Sequence, residues 1–170
     1  PMSELGPDGH PKRGGFLPPV PLERRMWAGG RLQFQGEIRI GEPLERRSTI
    51  LAVKDKTGRA GRMVFVTVEH RFSTGRGLAI VEEQDIVYVV IPERFTPPPP
   101  VEPPAPVAFR DTVPMDPVKL FRFSAVTFNG HRIHYELDYS REVEKYPGLV
   151  VHGLLQAILL MEAARRRRDG

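Results

Sequence analysis

Cysteine is absent from this chain of 170 residues, which excludes a disulfide framework, a thiolate metal cage and a cysteine nucleophile. A reducing compartment is allowed, and the cytoplasm fits best. Tryptophan occurs once and aromatic residues make up only 8%, so no stacking platform is interleaved with the basic residues as single-strand nucleic-acid binding requires. The longest apolar run, from Gly153 through Met161, is too short to cross a bilayer and lies at the wrong end for a signal peptide. It predicts a buried helix, and neither a nucleic-acid partner nor a membrane is expected.

Charge, proline and glycine are plentiful. With 40% hydrophobic and 27% charged residues, the composition is that of a soluble folded protein with one domain or two small ones. A net charge of +4 suits polyanionic partners, among them the phosphates of coenzyme A. Much of that excess lies in Arg165-Arg166-Arg167-Arg168, where cations complement the C-terminal end of a helix dipole.

Residues 1–21 are rich in glycine and proline and predict a surface loop. From Arg31 to Ile40, Leu32, Phe34, Ile38 and Ile40 alternate with polar neighbours, the two-residue period of a half-buried strand. Further strands are expected over 45–53, 63–72 and 78–91. The short polar turns between them predict an antiparallel meander. The acidic patch Glu82-Glu83-Gln84-Asp85 in the last strand suggests an active-site or subunit rim. Residues 95–110, with Pro97-Pro98-Pro99-Pro100, form a stiff linker that cannot donate ladder hydrogen bonds. It divides the chain into 1–94 and 111–170. The second part is expected to hold a short helix over 115–128 and a long one over 150–166, apolar around nearly its whole circumference and therefore wrapped by other structure.

Three of the five histidines lie in Phe128-Asn129-Gly130-His131-Arg132-Ile133-His134-Tyr135 and in Val151-His152-Gly153, just before the long helix. Three readings are open. His131 and His134, at i and i+3, can be metal ligands with His152 completing the set, although no carboxylate stands at an obvious spacing and Arg132 brings positive charge close. They can be structural, His152 simply setting the start of the helix. Or they carry acid/base chemistry on an acyl thioester, with His134 as base, Asn129 or His131 holding the hydroxyl or attacking water, and the free N–H of Gly153 meeting the thioester oxygen.

The run Ser124-Ala125-Val126-Thr127-Phe128-Asn129-Gly130-His131-Arg132-Ile133-His134-Tyr135 with Leu149-Val150-Val151-His152-Gly153 resembles the active-site segment of MaoC-like hydratases and dehydratases. It is most similar to the branch of mesaconyl-C4-CoA hydratases and type 2 3-hydroxyacyl-thioester dehydratases. Gly6-Pro7-Asp8-Gly9-His10-Pro11, Gly15-Phe16-Leu17-Pro18-Pro19-Val20-Pro21, Arg25-Met26-Trp27-Ala28-Gly29-Gly30 and Glu83-Gln84-Asp85-Ile86-Val87-Tyr88 resemble the non-catalytic N-terminal half of that branch. The resemblance implies an α+β double hot dog, each half a long helix wrapped by a curved antiparallel sheet. On that pattern a strand precedes Pro1 and more strands follow the long helix, so this chain is expected to hold parts of both halves. In the family loop G-D-x-N-P-x-H the aspartate is matched here by Asn129, the asparagine by His131 and the histidine by His134. An asparagine cannot take a proton, so the acid/base work falls on His134, helped by His131.

The activity implied is a hydro-lyase adding or removing water syn across a 2-enoyl-CoA or 3-hydroxyacyl-CoA thioester, with a branched dicarboxylic acyl group such as mesaconyl-C4-CoA in view. No metal or redox cofactor is implied, coenzyme A being part of the substrate, and a homodimer is expected. Arg132 either faces a substrate carboxylate or binds a neighbouring carbonyl. Trp27, with Arg25, either lines the acyl or pantetheine channel or packs in the core. Two alternatives stand beside this reading: a 3-hydroxyacyl-carrier-protein dehydratase of fatty-acid synthesis, and a non-catalytic acyl-CoA-binding or partner subunit.

Overall fold

Residues 2–58, 61–103, 105–107 and 109–168 are described by the computed structural model. They divide into two units, one of residues 13–91 and one of residues 1–12 with 92–170.

The first unit is an antiparallel sheet of β1 (Arg24–Phe34), β2 (Glu45–Gly58), β3 (Gly61–Thr74) and β4 (Gly77–Val89), in the order β1-β4-β3-β2. Its core follows from the alternation in β3, where Val64, Val66 and Val68 point to one side and are buried with Tyr88 of β4. Val20 and Leu22, from the segment leading into β1, cover that face. The turn at Gly75-Arg76 joins β3 to β4 with Thr74 opposite Gly77, and the φ of +113° at Gly77 is one that only glycine reaches without strain.

The first strand lies earlier than its periodicity predicts, at 24–34 and not 31–40. Leu32, Phe34, Ile38 and Ile40 are all exposed, while Arg24 and Arg25 are buried. The register decides this. β4 offers partners from Ile80 to Val89, which pair with Phe34 back to Arg24. Beyond Phe34 the chain closes with the N–H groups of Gln35 and Gly36 on the Ala79 carbonyl. The alternation after Phe34 thus has no strand to pair with. Nor is residues 1–21 all surface loop, since Val20 belongs to the core. The acidic patch of β4 has a plain structural use: Glu83 and Asp85 hold Arg31 across the sheet at 2.8 and 3.0 Å, and Asp85 also accepts from Thr67 at 2.7 Å.

The second unit is helical. The helix α1 (Pro117–Thr127) starts where Asp116 accepts the Lys119 N–H at 2.8 Å and proline occupies the first turn, the usual opening of a helix. It ends at Phe128, which adopts a left-handed φ of 53°. A 3₁₀ turn (Arg132–His134) and a π turn (Tyr139–Val143) follow, then the helix α2 (Gly153–Arg168). Leu155 of α2 is buried, but Leu154, Ile158, Leu160 and Met161 are exposed. Within this unit there is no named strand among the described residues, so the predicted wrapping of the helix is not met here. Both ends of the proline-rich segment are held in the unit: Phe95 packs on Tyr146, and the Arg167 guanidinium lies 3.8 Å from the Phe109 ring while pairing with Asp111 at 3.1 Å.

Candidate functional site

Between α1 and α2 the chain folds its histidines against one another. The left-handed turn at Phe128 brings the Asn129 N–H onto the Ser124 carbonyl at 2.9 Å, and the Asn129 side-chain oxygen accepts the His131 N–H at 3.1 Å. Asn129 therefore braces the loop as a local side-chain turn. The N-terminal turn of residues 5–11 clamps this loop from outside: the Arg132 N–H donates to the Asp8 carbonyl at 3.1 Å. At Gly9, with φ +83°, an added Cβ would lie 1.7 Å from the Gly130 oxygen, and at Gly130 it would lie 2.4 Å from the Gly9 oxygen. Two backbones meet here with no room for a side chain on either.

Four imidazoles follow one another through the site. His10, held by Asp8 at 3.2 Å, has its ring centre 4.1 Å from that of His131. His131 Nε2 lies 2.8 Å from a Glu144 carboxylate oxygen, and the ring stands edge-on to His134 at 5.5 Å. His134 and His152 are stacked at 3.6 Å with 20° between their planes. His152 meets the Ser124 hydroxyl through Nε2 at 2.8 Å, and its Nδ1 is buried with no hydrogen-bond partner among the described residues. His131, His134, His152 and Glu144 are 4%, 7%, 1% and 2% exposed.

The tautomer of His134 is decided by its neighbour. Nδ1 lies 2.7 Å from the Val150 carbonyl, which can only accept, so Nδ1 carries the hydrogen and Nε2 the lone pair. Burial, with the nearby His152, His131 and His10 rings as lesser contributors, pushes its pKa from an ordinary 6.5 down to about 4 against the pull of the Val150 carbonyl. Burial also pushes His152 down to about 4. At neutral pH both rings are uncharged.

Gly153 opens α2 immediately after His152. Its N–H belongs to the first turn, where backbone donors lack intrahelical acceptors. His131, His134 and His152 thus lie ring beside ring, Gly153 follows His152 directly in the chain, and Asn129 acts on the loop backbone.

Arg132 is differently placed. Its guanidinium holds Glu136 through two bonds of 2.6 and 2.5 Å, donates to the Pro7 carbonyl at 2.8 Å and covers the Tyr139 ring at 4.1 Å. The neighbouring carbonyl and carboxylate, and not an open cleft, take its donors. The adjoining surface hollow adds Asp138 and Glu142, surroundings that repel a dicarboxylate. Trp27 and Arg25 lie in β1 of the sheet unit, Trp27 37% exposed beside a bulge and Arg25 buried; Trp27 is therefore not a core residue. Among the described residues no group of three or more histidine, aspartate or glutamate side chains is arranged to hold a metal ion.

Sequence reasoning missed Glu144, Ser124 and the Asp8–His10 pair. Ser124, Asp8 and His10 lie within stretches that carry the resemblance, whereas Glu144 is thirteen residues beyond His131 at no spacing that announces a pair.

The family model for hydroxyacyl-thioester dehydratase type 2 matches residues 1–170. The chain belongs to that family. It is 52% identical over 166 residues to mesaconyl-C(4)-CoA hydratase of Chloroflexus aurantiacus, covering 97% of this chain and 59% of that protein. It is also 41% identical over 49 residues to the mitochondrial hydroxyacyl-thioester dehydratase type 2 of Schizosaccharomyces pombe, 29% of this chain and 16% of the yeast protein. Two crystal structures of HtdX from Mycobacterium tuberculosis resemble it with TM-scores of 0.52 and 0.51 at 19% and 17% identity, covering 78% of this chain and 51% and 48% of theirs. The fold is accordingly an α+β hot-dog fold, single or partial in this chain, which spans between about half and three-fifths of the lengths of the hydratase and of HtdX. No helix among the described residues is long and apolar enough to cross a membrane.

Proposed function

We propose that this chain carries the hydration site of a hydro-lyase acting on 2-enoyl-CoA and 3-hydroxyacyl-CoA thioesters. The observation that carries the reading is the Nδ1 bond of His134 to Val150, because it leaves Nε2 as a lone pair on a ring that burial keeps neutral. In the hydration direction Nε2 takes one proton from water as the water oxygen bonds to the β-carbon. The π electrons of the double bond move onto the thioester oxygen, which meets the Gly153 N–H. The enolate then collapses and takes the same proton from His134 at the α-carbon, so water adds to one face. A ring that resists protonation is a weak base but an avid donor, and the enolate charge opposite it offsets the cost of the transient imidazolium. His152, stacked on His134, backs the ring and holds its plane.

The identity to a hydratase named for mesaconyl-C(4)-CoA supports a branched dicarboxylic acyl group, though the carboxylate then has to find a partner other than Arg132. Trp27 and Arg25 stay candidates for binding the acyl or pantetheine chain. We further propose that the reaction needs no metal or redox cofactor, that the working protein is a homodimer, and that it operates in a reducing compartment such as the cytoplasm, in keeping with the lack of cysteine.

Loss of absorbance at the enoyl-thioester band, followed with crotonyl-CoA and mesaconyl-C4-CoA, tests the activity. Turnover with a preference for the dicarboxylate is expected. Binding of both thioesters without any turnover would favour the non-catalytic alternative and end this reading. Matched carrier-protein thioesters, if turned over faster than the CoA forms, would move the enzyme to fatty-acid synthesis.

A further inference from the structure

Among the described residues Glu144 is the only buried carboxylate, and the reaction above does not use it. Burying a carboxylate is unfavourable unless a partner compensates, and the local backbone is shaped to keep it inside. The π turn Tyr139–Val143 ends with the Glu144 N–H on the Tyr139 carbonyl at 3.2 Å; π turns concentrate at functional sites because they redirect a side chain within a helical run. Lys145 then takes a left-handed φ of 63°, a conformation unfavourable for a residue with a Cβ. The Tyr146 N–H returns to the Ser140 carbonyl at 3.0 Å, and the fully buried Ser140 hydroxyl donates to Gly148 at 2.7 Å. The turn thus closes on itself with the carboxylate facing His131.

We propose that Glu144 is a positioning residue for the hydration site: its carboxylate accepts the Nε2 hydrogen of His131 and so sets that ring with its lone pair on Nδ1. The proposal rests on the hydration reading. Its chemical value lies in the number two. A water molecule has two hydrogens, and two imidazoles with fixed lone pairs, His131 Nδ1 and His134 Nε2, can accept both. Both oxygen lone pairs are then free of donors, and one forms the bond to the β-carbon. Were His131 to flip its hydrogen to Nδ1, it would donate to one of those pairs, draw charge off the oxygen and weaken the water as a nucleophile. Val150 sets the tautomer of His134, and Glu144 sets that of His131.

Nitrogen-15 spectra of the histidine rings of the full chain, with His131 assigned through a His131→Gln variant, test the first half. A protonated Nε2 with slow hydrogen exchange beside an unprotonated Nδ1 is expected in the wild type; an unprotonated Nε2 or a protonated Nδ1 there would overturn the proposal without any variant. Glu144→Leu keeps most of the volume but offers no acceptor, and Glu144→Ala loses both. Each is expected to lower kcat by about 100-fold, near the low end of what a positioned acid–base group contributes, with KM almost unchanged, and Glu144→Asp, which keeps the acceptor, is expected to retain part of the rate. Wild-type kcat in a folded Glu144→Leu protein would sink the idea, whether or not the alanine variant folds. If the wild type hydrates no thioester, the hydration reading fails by itself, and the ring spectrum alone then decides what Glu144 does to His131.

Discussion

The sheet unit and the histidine unit solve opposite problems. In the sheet, the groups removed from water are chiefly valines aligned by a two-residue period, and charges pair across strands, β1 with β4 and β2 with β3, where water still reaches them. In the histidine unit Leu120, Ile133, Tyr139 and Leu155 are buried too, but beside them lie three buried imidazoles, two serines and a carboxylate, held by carbonyls and by turns with left-handed residues at Phe128 and Lys145. Apolar burial is non-directional and tolerant, whereas a buried polar network has to satisfy each member with the right geometry. The proposed site lies in the part of the chain where mistakes are costly.

The largest effect should come from the ring with the fixed lone pair. A His134→Ala variant is expected to lose about 10²–10⁴ in kcat, the contribution of a positioned general base, while still binding the thioester. Steady-state rates beside calorimetric binding check this. A variant with near wild-type turnover would remove the histidine unit from the chemistry and leave the contrast between the units one of packing only.

Next in size is the backbone crossing at Gly9 and Gly130. Gly9→Ala would push a methyl to within 1.7 Å of the Gly130 oxygen at a φ of +83°, so the N-terminal clamp has to open. Destabilisation of about 3 kcal/mol is expected, as overpacking and strain combine. Gly29, where an added Cβ meets nothing within 4 Å, is the control in the sheet: an alanine there should alter melting far less. Equal losses at both positions would erase the distinction between a strict unit and a tolerant one.

Acid separates the two units by charge. His134 and His152 have folded pKa values of about 4 against an ordinary 6.5, so between those values the unfolded chain binds more protons. Stability therefore rises with pH through that window and is lost as pH falls toward 4, with a limiting slope of about 1.4 kcal/mol per pH unit for each group. The acid limb of kcat/KM should likewise lie near pH 4 and not near 6.5. Circular dichroism and rates measured on the same samples check both, and a limb near 6.5 would mean that the base is a solvated imidazole.

How far the sequence foretells these units follows from the same contrast. β3 is legible because Val64, Val66 and Val68 repeat with the period of a strand that buries one face, and α1 falls inside the expected 115–128, its start fixed by the Asp116 cap. β1 starts earlier than its alternation predicts because an alternating stretch states that a strand can form, while the partner in β4 decides where. The histidine cluster was visible as a concentration of one residue type. Its wiring was not, since Glu144 reaches His131 through a π turn, and His10 comes from the opposite end of the chain. Arg132 shows the same limit: its charge was legible, but its commitment to Glu136 and Pro7 depends on a turn formed elsewhere.

The smallest effect belongs to the most conspicuous ion pairs. Arg31 bonds both Glu83 and Asp85 across β1 and β4, and on paper the network looks as elaborate as Glu144 with His131. Solvent reaches all three side chains, however, so the attraction is screened and the charges regain hydration when the pair is lost. Arg31→Ala should leave the melting midpoint almost unmoved and become indistinguishable from wild type in high salt. A large drop in midpoint, persisting in salt, would show that the sheet, too, depends on directional polar contacts.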